Sequence, residues 1–261
     1  NPNNQDYLKY RILLDGDIDY DFVFNMNKSN NTFLFGSCAY IGHGVSSIYR
    51  PWNITKLYKT ISFEKAGHMV WMGDNLYLMT NHDLKNYKSI YKRYIYIRKH
   101  KDLNQFLSNG IEHYSTWDDH DFGPNNCDGS YKNVHLTTEA FQKFWPNPPP
   151  ANNKGIFYSF IKGDIEFFMT DSRTFRNNDG SSLLGNKQIE WLKKALLKSV
   201  SAFKIIIVSS QVINNAKGHE SYYDFPEERA YLIKYIMYNE IPGVLFFSGD
   251  RHHSEVQIEN N

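Results

Sequence analysis

The 261-residue chain is predicted to be an α/β protein with layered helices and sheets. Short apolar runs that suit buried strands alternate with helical patterns through most of the chain. Polar clusters directly follow several of these runs, at Ser37-Cys38, Gly73-Asp74, Asp118 to Asp121, Ser210-Gln211 and Asp250 to His253. Because α/β proteins place their sites at the carboxyl ends of strands, the sequence predicts a site assembled from these strand ends.

The elements of the first half follow from apolar periodicity and from Gly and Pro stops. Residues 1–30 are predicted to be a short lead-in with a half-buried strand at 20–25, and residues 31–261 one domain. The other predicted strands lie at 33–35, 68–72 and 112–117, and the predicted helices at 51–66, 83–100 and 103–108.

The second half begins with a turn-rich excursion that contains a short helix at 137–145 and a stiff Pro-rich break at 146–150. A hairpin is predicted from 156–161 and 165–171, which flank the turn Lys162-Gly163-Asp164. The clearest helix is 185–200, because its apolar residues recur on one face and its lysines on the other. A strand at 203–209, a helix at 226–237 and a strand at 243–247 complete the alternation.

Composition and charge exclude some classes of function. The net charge is +1, which gives no basic field for nucleic acid. No apolar run reaches the roughly 18 residues that a membrane span needs, and the polar start of the chain lacks a signal-peptide core. The two cysteines, Cys38 and Cys127, do not make a disulfide scaffold and do not reveal the compartment.

Three carboxylates and an imidazole occupy four consecutive positions, Asp118-Asp119-His120-Asp121. Helices disfavour Asp, and Gly123-Pro124 forbids a helix downstream, so the cluster is predicted to lie on a loop after a strand. Buried carboxylates need a partner, so the cluster indicates a cation site. The alternative is a solvated acidic turn.

The other strand ends supply further candidate ligands. Carboxylates suit hard cations, whereas imidazole and thiolate suit Zn or Fe. A mixed set of this kind is what a site with two ions about 3.5–4 Å apart requires for hydrolysis. The candidates are Cys38, Asp74, Asp119, Asp250 and His252.

Five motifs follow one another along the chain: Leu34-Phe35-Gly36-Ser37-Cys38, Trp71-Met72-Gly73-Asp74-Asn75-Leu76-Tyr77, Trp117-Asp118-Asp119-His120-Asp121, Asp171-Ser172-Arg173 and Ser248-Gly249-Asp250-Arg251-His252-His253. Their order and spacing resemble the PhoD-like metallophosphatases, the alkaline phosphatase D branch of the calcineurin-like metallophosphoesterases. The resemblance covers roughly residues 33–255. It implies a four-layer α/β/β/α sandwich of two mixed sheets flanked by helices, and a secreted or extracytoplasmic location.

The resemblance also implies residue roles. His120 would contact the phosphoryl group or the leaving oxygen, Asp121 would orient His120, and Arg173 would face the phosphate. Two or more metal ions are implied, Fe and Ca by family, with Zn or Mn as alternatives. The implied ligands are Cys38, Asp74 (bridging), Tyr77 (with Tyr94 as its rival), Asp119, Asp250 and His252, and Gln211 is at best a weak ligand.

The implied function is hydrolysis of phosphoric esters through in-line attack by a hydroxide formed at the metal, with His120 protonating the leaving group. One alternative is a phosphodiesterase or phospholipase that acts on a larger diester, and another is a non-catalytic, metal-stabilised binding protein. No partner other than a phosphate ester is predicted, and the oligomeric state is open.

Several residues near the motifs have plainer interpretations. Arg176 and Arg251 are predicted salt-bridge partners, Cys127 a free thiol, His253 a surface group, and His43 either a pocket-lining or an exposed residue. The chain stops a few residues after His253, whereas members of the family usually continue with further strands, so truncation at the C-terminus or a compact variant is expected.

Overall fold

The structure is a computed structural model that describes residues 7–14, 17–25, 32–41, 54–64, 66–79, 83–215 and 220–258. A short 3-10 helix, Tyr222–Asp224, precedes the last α-helix. The strands are β1 (Tyr7–Leu14), β2 (Asp17–Asn25), β3 (Phe33–Gly36), β4 (His68–Met72), β5 (Glu112–Thr116), β6 (Tyr158–Lys162), β7 (Ile165–Met169), β8 (Phe203–Val208) and β9 (Val244–Ser248). The α-helices are α1 (Ile54–Ile61), α2 (Tyr87–Arg98), α3 (Lys101–Leu107), α4 (Asp119–Phe122), α5 (Val134–Phe144), α6 (Asn186–Lys198) and α7 (Pro226–Tyr238).

The described strands form two larger sheets and one antiparallel pair. The first sheet has the order β3-β4-β5 and is parallel throughout. The second has the order β6-β7-β8-β9, in which β6 is antiparallel to β7 and the other pairs are parallel. Strands β1 and β2 pair with each other, in the segment that was predicted to be a lead-in.

Three apolar clusters show how the layers stack. One joins β4 to β6, β7 and β8, so the two sheets face each other. A second packs α1, α2, α3 and α5 on the first sheet, and a third packs α6 and α7 on the second. This order of layers is the predicted α/β/β/α sandwich. None of the helices in the described ranges has the length and apolarity that a membrane crossing needs.

One local prediction was wrong. The acidic cluster forms one helical turn, α4, and not a loop. Asp118 has the extended backbone of an N-cap residue, and its N–H donates to the Asp121 carboxylate at 3.1 Å. Carboxylates are favoured at the cap and in the first turn of a helix, so the low helix propensity of Asp does not apply at this position. The helix ends at Gly123, before Pro124.

Candidate metal centre

The site lies where the carboxyl ends of the strands of both sheets meet. Gly73 follows β4 with a φ of +104°, and a Cβ at this position would lie 2.7 Å from the Cβ of Asp118 and 3.2 Å from that of Ser209. A Cβ at Gly249, after β9, would lie 2.8 Å from the Cβ of Ser37. Glycine at these two positions therefore lets the strand ends come close enough to build one site.

Three of the predicted site residues converge. Asp74, Asp119 and His120 each offer a ligand atom, and these atoms lie within 4.8 Å of one another. The Cys38 thiol lies 3.8 Å from Oδ2 of Asp74. The ring of Tyr77 packs 4.4 Å from that of His120, measured between centroids. The ends of β3, β4 and β5 thus bring five predicted residues into one small volume.

The rival tyrosine lies elsewhere. Tyr94 is buried in the helix layer and stacks on Phe144, with 4.5 Å between the ring centroids. Burial raises the pKa of the Tyr77 phenol, and the neighbouring Asp74 and Cys38 raise it further. Of the two tyrosines, Tyr77 is therefore the one placed beside the predicted ligands.

Asp250 and His252 lie on the turn after β9. Asp250 is half-buried, and its pKa is raised to about 7 by burial and by the charges of Asp118 and Glu220. His252 is exposed and lines, together with Cys38, a cleft of about 500 Å³. Gln211 donates from its side chain to the Gly249 carbonyl at 2.7 Å, so it holds this turn in place.

Left-handed backbone is concentrated at the site. Among the described residues, seven other than glycine have a positive φ. This conformation is costly for most side chains and persists where the surrounding structure enforces it. Four of the seven are predicted metal ligands, two contact the site, and Glu240 alone lies apart: Cys38, Asp74, Asp250 and His252, then Asn126 and Glu220.

Asp121 is bonded to backbone. Its Oδ1 accepts from the N–H of Leu76 at 2.8 Å, and its Oδ2 accepts from the N–H groups of Asn75 and Asp118. The fully buried carboxylate thereby fixes the turn that carries Asp74 to the start of α4.

Arg173 is buried among carboxylates. Its Nε donates to Asp118, its Nη1 lies 3.1 Å from Oε1 of Glu220, and its Nη2 lies 3.8 Å from Oδ1 of Asp119. Arg173 has no solvent-exposed surface, so the structure places it behind the acidic cluster. The interpretation that it faces a phosphate is untested by this arrangement and stays a prediction.

The donor set fits a cation. Asp74, Asp118, Asp119 and Asp121 are each at most 4% exposed. Burial and the three neighbouring carboxylates raise the pKa of Asp74 to about 10. The buried polar atoms that lack a hydrogen-bond partner include, among the described residues of the site, Oδ2 of Asp118, Oδ2 of Asp250 and Nδ1 of His120. A cation bound where Asp74, Asp119 and His120 converge would relieve the repulsion between the carboxylates.

The neighbouring residues are placed as follows. Both cysteines are free, and Arg176 forms the predicted salt bridge, to Glu220. His253 is exposed, 3.7 Å from Glu255, and Arg251 is half-buried beside the cleft. His43 lies outside the described residues.

A sequence model of a protein family described as PhoD-like phosphatase matches residues 33–258. The chain belongs to the PhoD-like phosphatase family. This agrees with the resemblance of the five motifs, which span nearly the same residues.

Relatives of this chain agree with the family match in sequence and in fold. Alkaline phosphatase D of Bacillus subtilis (strain 168) is 24% identical in an alignment of 281 positions, which covers 87% of this chain and 47% of the relative. The chain therefore spans about half the length of this curated relative. A solved structure of PhoD superposes with a TM-score of 0.64 and 19% identity, over 94% of this chain and 57% of the other.

A more distant structure extends the likeness in fold. Purple acid phosphatase PPD1 from yellow lupin (Lupinus luteus) seeds has a TM-score of 0.56 and 14% identity to the PhoD-like chain, over 92% of this chain and 42% of the other. At such identities the likeness concerns the fold alone.

Sequence reasoning missed two residues that contact the site. Glu220 binds Arg173, and the backbone N–H of Asn126 donates to Oδ2 of Asp119 at 2.7 Å. Neither residue belongs to a motif. Asn126 acts through its backbone N–H, which nearly every residue type has, so its identity does not reveal this role. The chemical signal that could have found Glu220 is the need of the two arginines, Arg173 and Arg176, for a counter-charge.

Proposed function

We propose that this PhoD-like chain hydrolyses phosphoric esters with the help of bound metal ions. The observation that carries the proposal is the convergence of Asp74, Asp119 and His120 at the strand ends of a PhoD-like fold. Acidic residues in this density are hard to explain as a solvated turn, because they are buried.

Two or more metal ions are proposed. The residues that would hold them are Cys38, Asp74, Tyr77, Asp119, Asp250 and His252. Carboxylates favour Ca, and the thiolate, phenolate and imidazole favour Fe, with Zn or Mn as the alternatives. When bound, such ions polarise the phosphoryl group and make a nucleophilic water available near neutral pH.

The chain's own residues have separate tasks in this proposal. His120 is half-buried at the cluster and donates a proton to the leaving oxygen of the ester. The Tyr77 ring packs on the imidazole and restricts its orientation. Asp121 holds the turn that carries Asp74 and the start of α4, which carries His120. Arg173 counterbalances the carboxylates, and its contact with the phosphate remains part of the proposal.

The test uses p-nitrophenyl phosphate and bis-p-nitrophenyl phosphate with metal-replete protein. Both Asp74→Asn and His120→Ala are expected to lower kcat by about 100-fold or more, in the range typical of lost acid–base and metal groups. The matched controls Asp164→Asn and His135→Ala change exposed residues of the same kinds away from the cluster, and should retain activity. Chelation should abolish activity, and adding back divalent cation should restore it.

The ratio of the two rates distinguishes a monoesterase from a diesterase. Hydrolysis of neither compound by the metal-replete parent would sink the proposal in favour of a binding protein. Full activity in both Asp74→Asn and His120→Ala would also sink it, because the activity would then not come from this site. A secreted or extracytoplasmic location is proposed from family membership, and cell fractionation with an antibody against the chain tests it.

A further inference from the structure

Glu220 holds two arginine side chains at once. Its Oε1 lies 3.1 Å from Nη1 of Arg173 and 2.9 Å from Nη2 of Arg176, and its Oε2 lies 3.5 Å from Nη2 of Arg173. The Glu220 side chain is 17% exposed, and its backbone has a φ of +58°. A left-handed glutamate is an uncommon arrangement, and here it directs the carboxylate at both guanidinium groups.

The first of these arginines connects Glu220 with the acidic cluster. Arg173 donates from Nε to Asp118, and its Nη2 lies 3.8 Å from Oδ1 of Asp119. Because the guanidinium is fully buried, its positive charge is divided among these three carboxylates with little screening by water. A weaker attraction between Arg173 and Glu220 therefore strengthens the attraction of Arg173 for Asp118 and Asp119.

The second arginine reaches the other oxygen of Asp119 by a chain of hydrogen bonds. Nε of Arg176 donates to Oδ1 of Asn178 at 2.9 Å, and Nδ2 of Asn178 donates to the Asn126 carbonyl at 3.3 Å. The N–H of Asn126 then donates to Oδ2 of Asp119 at 2.7 Å. Both oxygens of Asp119 are therefore linked to Glu220.

We infer that Glu220 is a positioning residue of the metal centre, which acts through Arg173 and Arg176 to keep the Asp119 carboxylate available for a cation. Without the charge of Glu220, Arg173 binds Asp118 and Asp119 more strongly and competes with the cation for Asp119. The site also loses one of the negative charges that attract the cation. This inference rests on the proposed function, because it gives Asp119 its role as a ligand.

The experiment measures Mn²⁺ binding to metal-free protein by isothermal titration calorimetry. Glu220→Gln keeps the shape and removes the charge, and is expected to weaken Mn²⁺ binding by about 10- to 100-fold, the usual effect of losing a residue that supports a metal ligand. Glu220→Asp keeps the charge at a shorter reach and is expected to give a smaller loss. Activity on p-nitrophenyl phosphate should fall in the same order.

A matched control separates positioning from general stability. Glu228 also holds a loop, since its carboxylate accepts from the N–H groups of Leu183, Leu184 and Gly185, but it forms no hydrogen bond or ion pair with the described side chains of Arg173 and Arg176. Glu228→Gln is expected to lower Tm and to leave Mn²⁺ affinity unchanged.

Two failures are distinguishable. If the parent protein binds no Mn²⁺, Ca²⁺, Zn²⁺ or Fe²⁺, the proposed function fails and this inference falls with it. If the parent binds Mn²⁺ and Glu220→Gln binds it equally well, only the role of Glu220 is wrong. Should Glu220→Gln fail to fold, Glu220→Ala removes the same charge, and affinity in Glu220→Ala equal to that of the parent overturns the inference in the same way.

Discussion

Arg173 donates from Nε to the carboxylate of Asp118, and neither side chain is more than 1% exposed. Asp118 follows β5 of the first sheet and Arg173 follows β7 of the second, so this ion pair ties the two sheets together behind the cluster. The pair is costly to desolvate, and its main energetic consequence is that neither partner can be removed alone.

Replacing Arg173 by Met is expected to lower the free energy of unfolding by about 3–5 kcal/mol, the range for breaking a buried pair. The reason is that Asp118 would keep a buried charge without a partner, and Glu220 would keep only Arg176. Urea denaturation followed by circular dichroism measures the loss.

The control for this prediction is Arg229→Met. Arg229 is half-buried, and its guanidinium donates hydrogen bonds to the carbonyls of Val212 and Ile213 and not to a carboxylate. Arg229→Met should lower the free energy of unfolding clearly less than Arg173→Met does. An equal loss of stability in the two variants would show that breaking the Arg173–Asp118 ion pair costs no more than losing hydrogen bonds to backbone carbonyls.

The strand ends could be predicted from the sequence because the residues that build them are contiguous. Trp71-Met72-Gly73-Asp74 shows an apolar run, a stop and a carboxylate in order, and the structure places β4 and Asp74 as that order predicts. The periodicity of residues 185–200 likewise predicted α6, which runs from Asn186 to Lys198, within a residue or two.

Other features could not be predicted, because they depend on contacts between distant segments. Asp118 caps α4 only because the Asp121 carboxylate bonds back to it, and propensity alone favoured a loop. The direction of the Arg173 side chain is set by Glu220, 47 residues away in the chain. No local pattern carries that information.

Asp74 is expected to lower the stability of the metal-free protein, because it is buried beside three other carboxylates. Replacing it by Asn should raise the free energy of unfolding in the presence of chelator by about 0.5–2 kcal/mol, as for other relieved functional sites, while it abolishes activity. The measurement is urea denaturation with and without Mn²⁺.

Asp121, in the same cluster, is expected to stabilise the protein, in contrast to Asp74. Its carboxylate accepts three backbone N–H bonds, and the amide of Asn would turn a donor toward at least one of them. Asp121→Asn is therefore expected to destabilise the protein by about 1–3 kcal/mol. If Asp74→Asn destabilised the metal-free protein as Asp121→Asn is expected to do, repulsion would not be the dominant effect at Asp74.

Gly73 is expected to tolerate no side chain. An alanine there would combine a φ of +104° with a Cβ 2.7 Å from that of Asp118, and would push β4 away from α4. Gly73→Ala should cost about 1–3 kcal/mol in stability from backbone strain alone and also weaken Mn²⁺ binding. Denaturation and calorimetry on the same sample measure the two effects.

The matched variant for this strain is Gly163→Ala. Gly163 has a φ of +58° in the exposed turn between β6 and β7, on the same chain but away from the acidic cluster. Gly163→Ala should lower stability, because alanine is strained at this positive φ, and should keep the Mn²⁺ affinity of the parent. A Gly73→Ala protein with normal affinity would show that the close approach to Asp118 does not align the site.

His113 is expected to make stability depend on pH, away from the metal centre. Nδ1 of its imidazole accepts from the indole N–H of Trp71 at 3.1 Å, which requires the neutral ring. Burial, with the nearby Arg98, lowers the pKa of His113 to about 3, whereas an unfolded His titrates near about 6.5.

The sign follows from proton uptake. Below about pH 6.5 the unfolded chain binds a proton at His113 that the folded protein does not bind, so the contribution of His113 to stability is lost progressively as pH falls toward about 3. In His113→Asn the amide oxygen can still accept from Trp71 but does not titrate. The free energy of unfolding should therefore fall less steeply from neutral pH to pH about 4.5 in this variant than in the parent. Parallel curves from urea denaturation at each pH would contradict this role, and a steeper curve for the variant would reverse its sign.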